Sequence, residues 1–365
     1  MTGGSEEQEE AWWRPVWEPD NEADLEPPGP LHPRQPRVEP DDSHPLLAPL
    51  ARAQDALARL EARAEGASPA IAAGLRERMS YQEASGWLAH SHTWIHPQDL
   101  ALRDAGLTSS YSAAAQIGRL EGELPATAAH GSSFAAIPSD VAVNLGLRLA
   151  RLERRLAEFR TWAPLADAPA MRETLQSLGY GAMLSDADAK QWLASAHSRT
   201  RVPALIRAGR SARDWMNLSG GEPLCPDGIF LGACLWREKG FGRSITLPFW
   251  AAPGPRHHRL SLQVGLRWMA GFLECVTAAA VVAADELTRL QSAEEKARAL
   301  AHTARSRLPA AIDAVLRAPI VTARSLARSL DVTPQAALGL LRELMEAGII
   351  REATGRASWR AFVLA

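Results

Sequence analysis

Lysine is almost missing from this chain: Lys190, Lys239 and Lys296 are the only three in 365 residues. Arginine therefore carries nearly all the positive charge. Its planar fork can donate two parallel hydrogen bonds to a phosphate or a carboxylate. For most of these arginines an Arg- and Ala-rich coding bias is explanation enough. Cysteine is also scarce. Cys225, Cys234 and Cys275 are odd in number and have no CxxC spacing. That pattern excludes a disulfide framework and a cysteine zinc site, and it suits a reducing cytoplasm. Long apolar runs are lacking too. The longest lies near 276–284, is interrupted by Thr277, and is far short of the ~20 residues a bilayer requires. The N-terminus is acidic, without a basic and then apolar leader, so no secretory signal is expected. Neither GxSxG nor a Walker loop occurs, and no glycine run follows a clear strand. No nucleophile, phosphate cradle or cofactor can be named, and a binding protein is favoured over an enzyme.

What is there fits a globular class, with 46% hydrophobic and 22% charged residues. The length allows two or three domains. The net charge of −2 hides an asymmetry. Residues 1–45 hold twelve acids against three arginines, which leaves about +7 for the remainder. This acidic, proline-rich leader cannot bury enough apolar surface to offset its ordering entropy, so disorder is expected. Trp12, Trp13 and Trp17 inside it are candidates for docking on the folded body or on a partner.

Helical spacing begins at Leu46, with Leu50, Ala53, Leu57 and Leu60 on one face and Gly66 as a stop. Further helices are predicted over 69–89, from Pro97 to a turn at Gly106, and over 138–160, 168–179, 185–196 and 203–217. The Gly- and Pro-rich stretch 218–262 predicts short strands or buried loops around Leu247–Trp250. A long helix, broken once, is predicted from Ser261 to His302. Its stripe of Phe272, Val276, Ala280, Ala283, Leu287 and Leu290 is a candidate homodimer face, although such a stripe is more often core.

The histidines His90, His92 and His96 have no zinc-site spacing, and no carboxylate pattern completes a metal site. His96 reads better as the entry to a helix with Pro97 first and Asp99 in its first turn. Asp104 beside Arg103 reads as a solvated face. So do Arg148, Arg151 and Arg155, and the cluster Arg199, Arg201, Arg207, Arg210 and Arg213.

The last sixty residues carry the strongest signal. A helix over 309–317 stops at Pro319. Thr322 caps a second helix, with Leu326, Ala327 and Leu330 inward. After Asp331–Val332, Thr333 caps a third helix with Pro334 at its first position. Ala337, Leu338, Leu341, Leu344 and Met345 form its buried stripe, and Gly348 ends it. Two short helices on a tight turn form a helix-turn-helix, whose second helix enters the major groove. The strand "IIREA", a turn at Thr354–Gly355 and the strand "SWRAFV" add a hairpin, giving a winged helix. Residues 305–365 hold nine Arg and no Lys against five acids. Arg324 and Arg328 share a face and are expected on phosphates. Gln335 and Arg342 are expected at base edges. Thr333, Arg356 at the wing tip and Arg360 on the return strand complete the expected double-stranded DNA contacts.

The segments "APIVTARSLARSLDVTPQAALGLLRELMEAGIIREATGRASWRAFVLA" and "IHPQDLALRDAGLTSSYSAAA" resemble a family of uncharacterised bacterial proteins. These have a domain of unknown function followed by a C-terminal helix-turn-helix DNA-binding domain. The resemblance covers 46–365 and implies DNA binding. The C-terminal third also looks like the tail of Fic-domain proteins, where a helix with a "W…FL" element, here Trp268, Phe272 and Leu273, leads to a winged helix. The Fic catalytic loop H-P-F-x-D-G-N-G-R is absent; "HPQD" at His96 lacks its glycines and arginine. The expectation is a mainly α protein: a disordered leader (1–45), a helical body (46–302) and a winged helix-turn-helix (303–365). The expected function is DNA binding in transcription regulation, in the cytoplasm and away from membranes. A divergent Fic-like nucleotide-binding protein and a protein-interaction scaffold are the alternatives.

Overall fold

The computed structural model describes residues 45–90, 93–107, 140–158, 165, 167–177, 185–199, 201–218, 225–252, 254–300, 307–354 and 360–365. The acidic leader and its tryptophans lie outside them, as do His92, Arg356 and Trp359. The described residues form thirteen helices and one small sheet, so the mainly α expectation holds. In chain order the body has α1 (Leu47–Glu65), α2 (Pro69–His90), α3 (Pro97–Asp104), α4 (Asp140–Glu158), α5 (Ala168–Ser177), α6 (Asp186–Ser198), α7 (Ala204–Leu218), α8 (Pro226–Arg237), α9 (Pro255–Ser261) and α10 (Gly265–Arg298). The tail has α11 (Leu308–Arg317), β1 (Val321–Thr322), α12 (Ala323–Leu330), α13 (Pro334–Glu346), β2 (Ile350–Glu352) and β3 (Ala361–Leu364).

Helix α1 buries Ala53, Leu57 and Leu60 of its predicted stripe together with Ala64, with Leu50 half-buried, and packs along α10. Helix α2 is different. It is buried on nearly all sides and touches α3, α4, α10 and α11. A helix enclosed in this way has no polar face to give to water, so its polar residues must find partners inside. Glu83 accepts the backbone N–H groups of Phe249, Trp250 and Ala251 at 2.9, 2.5 and 3.1 Å. Those bonds hold the buried 249–251 loop against α2. Gly86 lets that loop approach, because a Cβ there would run into the Trp250 carbonyl.

Four local expectations change on contact with the rest of the molecule. The 218–262 stretch contains α8, which is buried from Pro226 to Trp236 against α7 and so shows no amphipathic period. Asp104 is not a solvated face. It takes Tyr81 Oη at 2.7 Å, Arg154 at 2.7 Å and Arg151 at 2.6 Å. Burial opposes its charge, but hydrogen bonds from Arg154, Tyr81 and Arg151 outweigh it and hold its pKa below the usual value. Arg207 is 2% exposed and donates to the Leu235 carbonyl at 2.6 Å and to Glu238 at 2.9 Å. The α10 stripe from Phe272 to Leu290 is fully internal, so it is core and gives no face to a second copy. The long helix runs unbroken from Gly265 to Arg298, without the predicted break; residues 262–264 separate it from α9, and Gly265 opens it at φ +59°. Helix α10 is long and apolar enough to cross a membrane, yet half of its apolar window is buried inside the protein, as in a core helix.

Candidate nucleic-acid interface

The C-terminal helix pair is built by local chemistry at two helix starts. Thr322 and Ser325 form a reciprocal capping box. Ser325 N–H donates to Thr322 Oγ1 at 3.0 Å and Thr322 N–H to Ser325 Oγ at 2.9 Å. This satisfies donors that the first turn of α12 leaves open. At its other end Asp331 turns into the left-handed region, φ 51°, which Asp tolerates better than most residues. The Val332 N–H closes the turn on the Ala327 carbonyl at 3.0 Å. Thr333 Oγ1 then accepts the Ala336 N–H at 3.2 Å and Pro334 occupies the first position of α13.

Leu326, Ala327 and Leu330 of α12 and Ala337, Leu341 and Leu344 of α13 are buried together. That fixes which sides face out. Arg324 and Arg328 are exposed one turn apart on α12. Gln335, Ala336, Gly339, Arg342, Glu343 and Glu346 are exposed on α13, the outward side predicted from the sequence. Gly348, φ +69°, ends α13 and lets the Ile349 N–H reach the Leu344 carbonyl at 3.0 Å.

The sheet has the order β1-β3-β2 and is antiparallel throughout, with Val321 opposite Phe362, and Ile350 opposite Leu364. The β2–β3 hairpin was legible in the sequence; the two-residue β1 was not. Arg360 lies 3.7 Å from Glu352 across the hairpin. Arg356 lies outside the described residues. The structure thus brings Arg324, Arg328, Thr333, Gln335 and Arg342 onto one helix pair, with Arg360 immediately before β3.

One buried charge beside this domain was invisible in the sequence. Arg78, on α2, is 7% exposed. It donates to the Leu316, Ala318 and Val315 carbonyls at 2.7, 2.9 and 3.3 Å. These are carbonyls that the end of α11 leaves open. Its Nε lies 3.4 Å from Glu286. Burial, only partly offset by Glu286, lowers its pKa to about 10, which leaves it charged at neutral pH. The only hint was Gly74 inside a helix; a Cβ there would collide with the Leu316 carbonyl, so the glycine lets α11 approach.

Of the histidines, His96 caps α3, its Nδ1 accepting the Gln98 N–H at 3.2 Å. His90 packs 5.3 Å from the Trp250 ring. Trp268, Phe272 and Leu273, the "W…FL" element, are buried core.

Residues 308–364 match the family model described as a helix-turn-helix (HTH) DNA binding domain. The match runs from the first residue of α11 to the last of β3. The chain therefore carries a helix-turn-helix DNA-binding domain at its C-terminus. The uncharacterized protein y4cF of Sinorhizobium fredii (strain NBRC 101917 / NGR234) is 27% identical to this chain over 182 residues. Those residues are 48% of this chain and 47% of that protein; the match spans about half the length of the relative.

Proposed function

We propose that the protein regulates transcription by gripping double-stranded DNA through a winged helix-turn-helix. Residues 303–365 are the reading head and 46–302 a helical body without catalysis, acting in the cytoplasm. The observation that carries this reading is the outward face of α12 and α13, where Arg324, Arg328, Gln335 and Arg342 are all exposed and the family match supplies the chemistry of the partner. Helix α13 enters the major groove and α12 crosses the backbone. Arg324 and Arg328 hold phosphates. Gln335 suits adenine and Arg342 suits guanine. Thr333, whose hydroxyl oxygen is taken by the α13 N-cap, keeps its hydroxyl hydrogen for a phosphate. Arg356 and Arg360 belong to the wing, with Arg360 partly countered by Glu352. A homodimer on a two-fold site would use a surface other than the α10 stripe.

Fluorescence anisotropy on selected and scrambled duplexes tests the assignment. Gln335→Ala is expected to cost about 1–3 kcal/mol on the preferred site and to relax its preference. Glu343 and Glu346 on the same outward side favour the competing reading, a protein contact. No duplex bound more tightly than ~100 μM at low salt would establish that reading instead.

A further inference from the structure

A cavity of about 270 Å³ opens where α2, α3 and α10 meet the C-terminal sheet. At ~30 Å³ per molecule it has room for roughly nine waters, or one small organic molecule. Its charge is one-sided. Arg78, Arg289 and Arg351 line it against a single carboxylate, Glu286. Glu286 is already shared between Arg78 Nε at 3.4 Å and Arg289, at 2.8 and 3.0 Å. Arg78 spends its other donors on backbone carbonyls. Arg351 is exposed, and among the described residues no carboxylate pairs with it.

The neutral part of the lining also favours an anion. His96 Nδ1 accepts the Gln98 N–H, so the proton of the neutral ring sits on Nε2, a donor. Burial, and then the charge of Arg351, hold its pKa below the ordinary value. Gln82 and Gln98 add amides. The remaining wall is apolar, with Pro97 and Ala101 on α3 and Ile320, Val363 and Leu364 on the C-terminal domain.

We propose that this cavity binds a small organic carboxylate, its acid group between Arg289 of the body and Arg351 of the DNA-binding domain and its hydrocarbon against Ile320 and Leu364. The planar guanidinium fork of Arg351 matches a carboxylate; Arg289, whose Nε and one Nη already hold Glu286, adds its remaining N–H and its charge; and the apolar wall has no use for inorganic phosphate, which has no hydrocarbon. Arg289 and Arg351 belong to different parts of the fold, so the occupant bridges them. Arg351 lies on the strand that follows α13, which places the occupant next to the DNA-reading helix. The binding itself does not depend on that helix reading DNA.

Isothermal titration of the full chain with sodium benzoate and sodium hexanoate tests the site, with inorganic phosphate and sodium chloride at matched ionic strength as comparisons. Saturable binding of one equivalent of carboxylate is expected, with phosphate weaker. Arg351→Gln and Arg289→Gln are each expected to weaken it at least about tenfold, the loss of one charge-assisted pair. Both side chains lie at the surface, and unchanged circular dichroism and melting temperature without ligand confirm that each variant is folded. Titrations that never saturate, equal binding of phosphate, or undiminished binding by both variants would overturn the proposal.

Discussion

Arg78 shows how much one side chain can decide. A helix end leaves carbonyls without partners, and at the end of α11 a guanidinium from α2 supplies the donors. Removing the charge strands three carbonyls and leaves Glu286, among the described residues, with Arg289. Arg78→Met is expected to lower unfolding free energy by about 3–5 kcal/mol, the range for breaking a buried pair from one side, as read from urea melts. Glu153 is a second case. Its Oε2 is buried without a hydrogen-bond partner, and burial raises its pKa from 4.5 to about 7. A carboxyl whose folded pKa exceeds its unfolded one binds more protons when folded. Its contribution is therefore full below about pH 4.5 and falls as pH rises through 7. Glu83, raised to about 8 by burial first and then by Glu153, adds a slope of the same sign. Glu153→Gln should flatten the stability profile between about pH 5 and 7 while the Glu83 part persists, measured by urea unfolding at each pH.

At the scale of elements, the helix pair owes its entry points to hydroxyl caps. Thr333→Ala removes the acceptor for the Ala336 N–H and should cost about 1 kcal/mol. Circular dichroism melts read that loss directly. Helix α2 offers the opposite lesson. Alanine is normally the better helix former by about 1 kcal/mol, so Gly74→Ala should stabilise an isolated helix. Here the added methyl meets a backbone carbonyl of α11 rather than a side chain that can swing away. Overpacking of about 1–3 kcal/mol then wins, and a fall in melting temperature is the expected outcome. A rise would mean that α2 and α11 separate easily.

For the molecule as a whole, the relevant quantity is charge facing a polyanion. Arg324 and Arg328 are the exposed pair on α12. Replacing both with Gln removes two proposed phosphate contacts and should reduce the salt slope of log K for duplex DNA by about 1.8. The loss should be similar on specific and scrambled sequences, since phosphate contacts carry no base information. An anisotropy salt series with an unchanged slope would move the DNA backbone off α12.

The tail was legible in the sequence because its determinants are local. Thr322, Thr333 and Pro334 act within one turn, Gly348 supplies its own positive φ, and the spacing of Ala337, Leu341 and Leu344 fixes which side of α13 is outward. The same holds for α1 and for the cap at His96. The body was legible only as a set of helices. Helix α8 escaped because it is buried on all sides and sits in a Gly- and Pro-rich stretch, so neither period nor propensity marked it. Asp104 and Arg207 looked solvated because their partners Arg154 and Glu238 lie 50 and 31 residues away. The cavity between Arg289 and Arg351 joins residues from α10 and β2 that no local pattern links. Caps, turns and amphipathic faces are short-range and are written in neighbouring residues; the partner of a buried charge is a long-range choice, made only when the helices pack.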